Sequence, residues 1–262
     1  MPSILLSATS NLIEVIGVSE APPPELLMPL FPDLTDIRFR GDKATLEGRW
    51  TFGRSEVRAI NVRAIPTWSE LTYGALRFWH GESHAIQGRV VVDAAMLVSD
   101  GLGLLVIGSG KSHFAARCAK VASVITDDTV VVDPAMNKPW LVGTGWRRRH
   151  IRSRTGQSLL LPPEGPADAQ ISAIAFVEGS YGRPSIQDVS EVDARSWLLQ
   201  ASLAKVLNTR SKPPSFCQAF IGSSAAAQLV ADQVSDWRLP SFRALGNVEA
   251  AVFWEAAIQC AA

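Results

Sequence analysis

The sequence predicts an α/β fold with a smaller α+β part at its N-terminus. From residue 89 onward, short apolar runs of strand length alternate with stretches whose apolar residues recur at helical spacing. The apolar run at 104–107 leads directly into the glycine-rich sequence GSGKS at 108–112, which precedes a helix-like stretch. Hydrophobic residues make up 47% of the 262 residues, which is sufficient for a buried core. We therefore expect a core over residues 89–262 and a small separate region over residues 1–88.

The N-terminal region contains strand-like and helix-like segments. Three consecutive prolines within Glu20–Glu25 exclude a helix or a central strand there. Thr35–Arg40 and Ala44–Phe52 each alternate apolar and polar residues, and the sequence GDK at 41–43 lies between them, which predicts a β-hairpin. Ser69–Trp79 has apolar residues at helical spacing, so we expect a helix that connects this region to the core.

The core begins with strands predicted at 90–92, 94–98 and 103–107, with a turn at 99–101 between the last two. An alanine-rich helix is expected at 112–120, because its apolar residues recur at helical spacing and can pack against a sheet. Further strands are expected at 124–125, 129–132 and 171–177, and further helices at 192–207, 223–234 and 247–258.

Composition and charge limit the partners and the compartment. The 25 basic and 25 acidic residues balance, so the chain as a whole is not built to attract nucleic acid or an anionic membrane. Three cysteines, Cys118, Cys217 and Cys260, lie far apart, which suits a reducing compartment. The N-terminus lacks the basic region of a signal peptide, and no apolar stretch approaches the ~18–20 residues that span a bilayer. We expect a cytoplasmic protein with no nucleic-acid or membrane partner, and whether it forms a homo-oligomer stays open.

The sequence GSGKS at 108–112 is similar in part to a phosphate-binding loop. In such loops, backbone N–H groups wrap a phosphate at a helix N-terminus, a lysine contacts the terminal phosphates, and the following serine or threonine helps hold Mg²⁺. Lys111 and Ser112 supply the last two groups. The full spacing GxxxxGK[ST] would need glycine in place of Leu105, so about three residues are missing from the loop. The alternative interpretation is a tight turn between a strand and a helix.

A pair of adjacent acids follows the predicted helix. Asp127 and Asp128 lie in the strand-like sequence SVITDDTVVV at 123–132. The order of P-loop, helix and strand-borne Asp-Asp resembles the HPr kinase/phosphorylase family, and the segments at 92–108 and 169–178 are similar to strands of its compact members. The resemblance covers about residues 85–210. Compact members include kinases that phosphorylate ribosomally made precursor peptides, such as the lasso-peptide kinases.

The resemblance implies a P-loop core of the HPr kinase / phosphoenolpyruvate carboxykinase-like type and a kinase that uses ATP and Mg²⁺. Its acceptor would be a hydroxyl, serine above all, on a peptide or small protein. One carboxylate of the Asp127–Asp128 pair would take the hydroxyl proton and the other would help hold Mg²⁺, since phosphoryl transfer depends on charge neutralisation and positioning. The residues implied to be catalytic are Asp127, Asp128 and Lys111; those implied to bind the nucleotide are Gly108, Ser109, Gly110, Lys111 and Ser112; those implied to hold the metal are Ser112 and Asp128.

Two departures from the family pattern favour a different function on the same fold. The loop is short, and Asp93 occupies the place where family members carry a histidine at the start of the first core strand. His84 is the alternative match for that histidine, but it would require a longer insertion before the loop. Both departures favour a binding or scaffold protein that recognises a peptide or a partner without phosphoryl transfer.

Three other groups have a functional and a structural interpretation. The segment at 146–154 holds five arginines, and Arg148 within it could bind nucleotide phosphates or an acidic peptide, or lie on a solvated surface. Glu178 ends an apolar strand, where it is either an acid near the metal or an exposed carboxylate. His80 and His84 have the i,i+4 spacing of metal ligands on a helix, but no third ligand is evident in the sequence.

Overall fold

A computed structural model describes residues 3–8, 11–16, 34–40, 49–52, 55–58, 81, 84–127, 129–142, 170–179, 183–206 and 224–262. The strands are β1 (Ser3–Ala8), β2 (Asn11–Ile16), β3 (Leu34–Arg40), β4 (Arg49–Phe52), β5 (Ser55–Arg58), β6 (Val90–Val92), β7 (Ala94–Ser99), β8 (Leu102–Ser109), β9 (Ser123–Thr126), β10 (Val130–Asp133), β11 (Lys138–Val142), β12 (Gln170–Glu178), β13 (Ser185–Asp188) and β14 (Ser241–Leu245). The helices are α1 (Lys111–Cys118), α2 (Glu191–Leu203), α3 (Ser224–Asp236) and α4 (Ala250–Ala261). The protein is therefore mixed α/β, as the sequence predicts.

The chain divides into two compact units. The first comprises Met1–Ser83 with Ala204–Gln228, and the second comprises His84–Leu203 with Leu229–Ala262. The division into residues 1–88 and 89–262 stays a prediction.

The first unit contains an antiparallel sheet with the strand order β3-β1-β2-β4-β5. β3 pairs with β1, and β4 pairs with β2 and β5. The hairpin predicted between 35–40 and 44–52 is therefore wrong. Period-two alternation identifies the residues that share one face of a strand, but it does not identify the strand's partner. The helix predicted at Ser69–Trp79 lies outside the described residues.

The second unit is built on a mixed sheet with the order β13-β14-β12-β8-β7-β9. β8, β12 and β14 are parallel, whereas β7 is antiparallel to β8 and to β9. β9 therefore runs in the same direction as β8. We call the end of this sheet where Ser109, Thr126 and Glu178 lie its carboxyl end. A smaller antiparallel sheet has the order β11-β10-β6.

A two-residue turn joins β7 to β8. Asp100 and Gly101 have φ angles of 51° and 79°, as a tight hairpin turn requires, and glycine and aspartate are residues that adopt this conformation. The turn fixes the register, in which Ser99 pairs with Leu102 and Ala94 pairs with Ile107. Asp93 is consequently next to the carboxyl end of β8.

Helices cover both faces of the mixed sheet. On one face, Phe114 of α1 and Phe242 of β14 both contact Phe253 of α4, with ring centroids 5.4 and 5.5 Å apart. Small residues of the central strands complete this buried cluster. On the other face, Trp197 of α2 contacts Phe176 of β12 edge to face at 5.0 Å. The helical spacing of the apolar residues in α1 predicted that this helix packs against the sheet.

Candidate phosphate site

The connection between β8 and α1 is a single residue. β8 ends at Ser109, α1 begins at Lys111, and Gly110 lies between them with a φ angle of 87°. A left-handed residue at this position turns the strand directly into the helix, and glycine adopts this conformation at no steric cost. The carbonyl of Gly110 accepts the N–H groups of His113 and Phe114 at 2.9 and 3.0 Å.

Three glycines at the ends of β8 and β12 allow the backbones to approach closely here. Gly108 has a φ angle of 119°, and a Cβ atom added to it would lie 2.2 Å from the carbonyl oxygen of Val177. Gly179 donates its N–H to the carbonyl of Ser109 at 2.9 Å. A Cβ on Gly110 would lie 3.2 Å from the Cα of Gly179. The GSG sequence is therefore closely packed against the end of β12.

Lys111 forms an ion pair at this end of the sheet. Its Nζ lies 3.3 Å from Oδ2 of Asp93, and the two side chains are only 16% and 26% exposed. Asp93 is positioned from its other side as well, since its N–H donates to the carbonyl of Ala201 in α2. The predicted phosphate-binding lysine thus has an anionic partner within the protein.

Ser112 links the helix to the paired-acid segment. Its Oγ donates to the main-chain carbonyl of Asp127 at 3.3 Å. Asp127 directly follows β9 and is buried, with 8% of its surface exposed. A position just after a strand end is what the paired acids require, because adjacent residues within a strand point to opposite faces. Asp128 itself lies outside the described residues.

The remaining predicted residues differ in their positions. Glu178 ends β12 with its side chain 52% exposed, and its Oε2 pairs with Nη2 of Arg243 at 2.5 Å. Arg243 also lies over the ring of Trp197, with Cζ 5.3 Å from the ring centroid. Arg148 and His80 lie outside the described residues. In the described part of the chain, no cluster of three or more His, Cys, Asp or Glu side chains is suited to a metal ion.

Sequence reasoning missed the contact between Asp93 and Lys111. The signal was present in the turn at Asp100-Gly101, because a two-residue turn pairs the flanking residues 99 and 102. Counting back along the hairpin from that pair places Asp93 opposite Gly108, close to the start of α1. The pairing of Glu178 with Arg243 has no comparable local signal, since β14 lies 65 residues further along the chain.

Comparison with known proteins yields no relative: no family model matches the chain, and no curated protein matches it. Within the ranges that the structure describes, no helix is both long and apolar enough to cross a bilayer. The proposal for function therefore depends on the residues at the carboxyl end of the sheet.

Proposed function

We propose that the chain is an ATP- and Mg²⁺-dependent kinase with an HPr kinase-like P-loop core, and that it phosphorylates a hydroxyl, serine above all, on a peptide or small protein. The observation that carries the proposal is the contact between Ser112 and Asp127. This contact joins the helix N-terminus that follows GSGK to the strand end that carries the paired acids. The nucleotide-binding and proton-accepting groups of such a kinase would have to lie together in this way.

The start of α1 fits a phosphate group. The first amides of an α-helix have no acceptor within the helix, so the N–H groups of Lys111 and Ser112 can donate to a phosphate oxygen. The ammonium group of Lys111 adds a positive charge at the same place. This supports phosphate binding at the helix terminus.

The neighbouring oxygen atoms fit Mg²⁺. This ion prefers oxygen ligands and is usually held by one or two protein oxygens together with phosphates and water. The hydroxyl of Ser112 contacts the main chain of Asp127, and the sequence places a second carboxylate at the next residue, Asp128. In this proposal Ser112 and Asp128 hold the metal.

Each protein group then has a defined role. When bound, Mg-ATP supplies the phosphoryl group and part of the charge neutralisation that transfer needs. Lys111 binds phosphate oxygens, and the amides of the 108–112 segment orient them. A carboxylate of the Asp127–Asp128 pair accepts the proton of the acceptor hydroxyl. Arg148 would contribute a further cation to the nucleotide.

A second candidate is a binding or scaffold protein on the same fold, without phosphoryl transfer. Two observations favour it. The single-residue connection at Gly110 offers fewer amides than a full P-loop, so it fits one phosphate group better than an encircled polyphosphate. The ion pair between Lys111 and Asp93 also competes with any phosphate for the lysine.

Titration calorimetry with Mg-ATP separates the two candidates. The kinase is expected to bind Mg-ATP with a micromolar dissociation constant, whereas the scaffold gives no heat. Mass spectrometry of serine-containing peptides incubated with protein and Mg-ATP then tests transfer through the mass gain of one phosphate. A folded protein that binds no nucleotide would refute the kinase and support the scaffold. Lys120→Ala, which removes an exposed cation beyond the end of α1, is the matched control for changes at Lys111.

A further inference from the structure

A second candidate site lies at the amino end of β14, away from the carboxyl end of the sheet. A half-open cavity of about 210 Å³ lies between the first half of α2 and the segment at 237–240 that leads into β14. It is smaller than the pockets that hold drug-sized ligands, so it can take only a small group. Its apolar lining is formed by Ile174, Val189, Leu198, Trp237, Leu239 and Pro240.

The apolar lining has a buried part and an accessible part, since Val189 and Leu239 are partly exposed and Pro240 is exposed. Ile174, Leu198 and Trp237 are all buried, with 3%, 3% and 6% of their surfaces exposed. The indole of Trp237 is held in place by its Nε1–H, which donates to Oδ1 of Asn137 at 2.8 Å. A branched aliphatic group placed in the cavity would cover the accessible apolar side chains and lose part of its own contact with water.

Three charged side chains line the same cavity. Nη2 of Arg195 and Nε of Arg238 both contact one oxygen of Glu191, its Oε1, at 2.7 Å each. Two cations and one carboxylate leave a net charge of +1 at the cavity. In addition, Nε of Arg195 is enclosed and meets no acceptor among the described residues. The carboxylate of Glu191 therefore neither neutralises both arginines nor accepts all of their N–H groups.

The chemistry of the lining selects one class of ligand. Arginine guanidinium groups bind carboxylates through paired N–H donors. One surplus positive charge matches a monoanion, and the carboxylate of Glu191 disfavours a doubly charged phosphate at the same place. The accessible apolar side chains of the lining favour an anion that carries a small hydrophobic group.

We propose that this cavity binds a small hydrophobic carboxylate, supplied either as a free carboxylic acid or as the C-terminal residue of a peptide. The carboxylate contacts Arg195 and Arg238, and the aliphatic group packs against the accessible apolar side chains of the lining, Val189, Leu239 and Pro240. The proposal is independent of phosphoryl transfer, because none of these residues belongs to the candidate phosphate site.

The test uses the full chain and the indole N–H signal of Trp237 in ¹H–¹⁵N NMR spectra, assigned with Trp237→Phe. Isovalerate is the probe, and isovaleramide, which has the same shape without the charge, is its control. A short peptide ending in leucine, with a free or an amidated C-terminus, tests the second source. We expect each acid to shift the Trp237 signal and each amide to bind at least about tenfold more weakly, the value of one charged hydrogen-bonded contact. Binding by only one of the two acids supports the proposal and identifies the source.

Arginine variants test the assignment of the contacts. Arg195→Gln and Arg238→Gln should each weaken binding of the acid about tenfold, whereas Lys120→Gln should leave it unchanged. Thermal unfolding of each variant verifies that it is folded. The proposal is overturned if acid and amide bind equally well, if both arginine variants bind as the unmodified chain does, or if neither acid binds at about 10 mM.

Discussion

The two ends of the parallel strands carry opposite arrangements. At the carboxyl end, cationic and anionic groups gather around Lys111, but the backbone is closely packed, with Gly108 and Gly110 against β12. At the amino end of β14, a charged group surrounds an open cavity. Ligands of open α/β sheets usually bind at the carboxyl ends of the strands. The residues proposed to bind phosphate lie at that end and the cavity proposed to bind a carboxylate lies at the other, so the two ends have to be tested separately.

The largest expected effect concerns the close packing at the carboxyl end. Gly108→Ala should lower the free energy of unfolding by about 4 kcal/mol, since it combines a left-handed φ angle with a Cβ that clashes with backbone. Gly88→Ala is the matched control, because Gly88 also has a positive φ but no atom lies within 4 Å of its added Cβ. It should cost only about 1–2 kcal/mol. Urea denaturation measures both, and equal losses would show that packing at Gly108 is not tight.

The next prediction tests whether the charges at the carboxyl end perform phosphoryl transfer. Lys111→Ala and Asp127→Asn should each lower the rate of transfer by about 10²–10³-fold, or about 3–4 kcal/mol, because each removes a group that acts on charge developing during transfer. Quantitative mass spectrometry of the phosphorylated peptide is the measurement. Retention of the rate within tenfold in Lys111→Ala would contradict the assigned role of the lysine.

His84, which belongs to neither of the two charged groups, makes the stability of the protein depend on pH. Burial, together with the nearby charge of Arg89, lowers the pKa of His84 from 6.5 to about 4. Between these values the unfolded chain binds a proton that the folded chain does not, so stability falls as the pH decreases from 6.5 to 4. At about 1.36 kcal/mol per pKa unit, the loss approaches about 3 kcal/mol.

Unfolding measured across this pH range checks the assignment. His84→Gln should remove the part of the pH dependence that arises above pH 5, where carboxyl groups contribute little. His113→Gln, which changes an exposed histidine of α1, is the control and should leave the dependence unaltered. An unchanged profile in His84→Gln would refute the assignment.

A smaller effect is expected from Asp93. Asp93→Asn removes the negative charge 3.3 Å from the ammonium of Lys111, which competes with phosphate. We expect Mg-ATP to bind about fivefold more tightly, corresponding to about 1 kcal/mol for a partly exposed pair. Asp100→Asn, in the turn of the same hairpin, is the control of equal charge change. Weaker binding in Asp93→Asn would instead indicate that the aspartate positions Lys111 for its ligand.

The smallest effect concerns the amino end. Arg238→Ala should change the free energy of unfolding by less than about 0.5 kcal/mol, because ion pairs between half-exposed side chains contribute little to stability. Urea denaturation gives the value directly. A loss above about 2 kcal/mol would mean that the ion pairs at the cavity contribute substantially to the stability of the fold. A negligible loss would sharpen the contrast with Gly108, whose substitution is expected to lower the free energy of unfolding.

The sequence predicted the central elements of the second unit because their signals are local. The segments predicted from apolar runs and helical spacing overlap the observed elements β6, β7, β8, α1, β12 and the last three helices. The short strand β14 was missed, since Ser241–Leu245 has an arginine at its centre, whose partners Glu178 and Trp197 are distant in the sequence. The wrong hairpin in the first unit has the same origin, because partner choice between strands depends on segments far apart in sequence.

The candidate site shows the same limit. Lys111, Ser112 and Asp127 were predicted as site residues because their types and order resemble those of phosphate-binding sites, and their role stays a prediction. The contact between Lys111 and Asp93 depends on hairpin register, and the cavity beside Arg195 depends on how α2 packs near β14. Neither property is encoded within one short window of sequence.

The two-residue turn at Asp100-Gly101 has a consequence for how this chain can vary. Six residues of β7 pair with six residues of β8 in this hairpin. This register places Asp93 close to the start of α1. Inserting one residue in either strand of the hairpin would shift the pairing register, so that the side chains beyond the insertion point to the opposite face of the sheet. Asp93 would then no longer reach Lys111. A change in the length of this hairpin is therefore expected to separate Asp93 from Lys111.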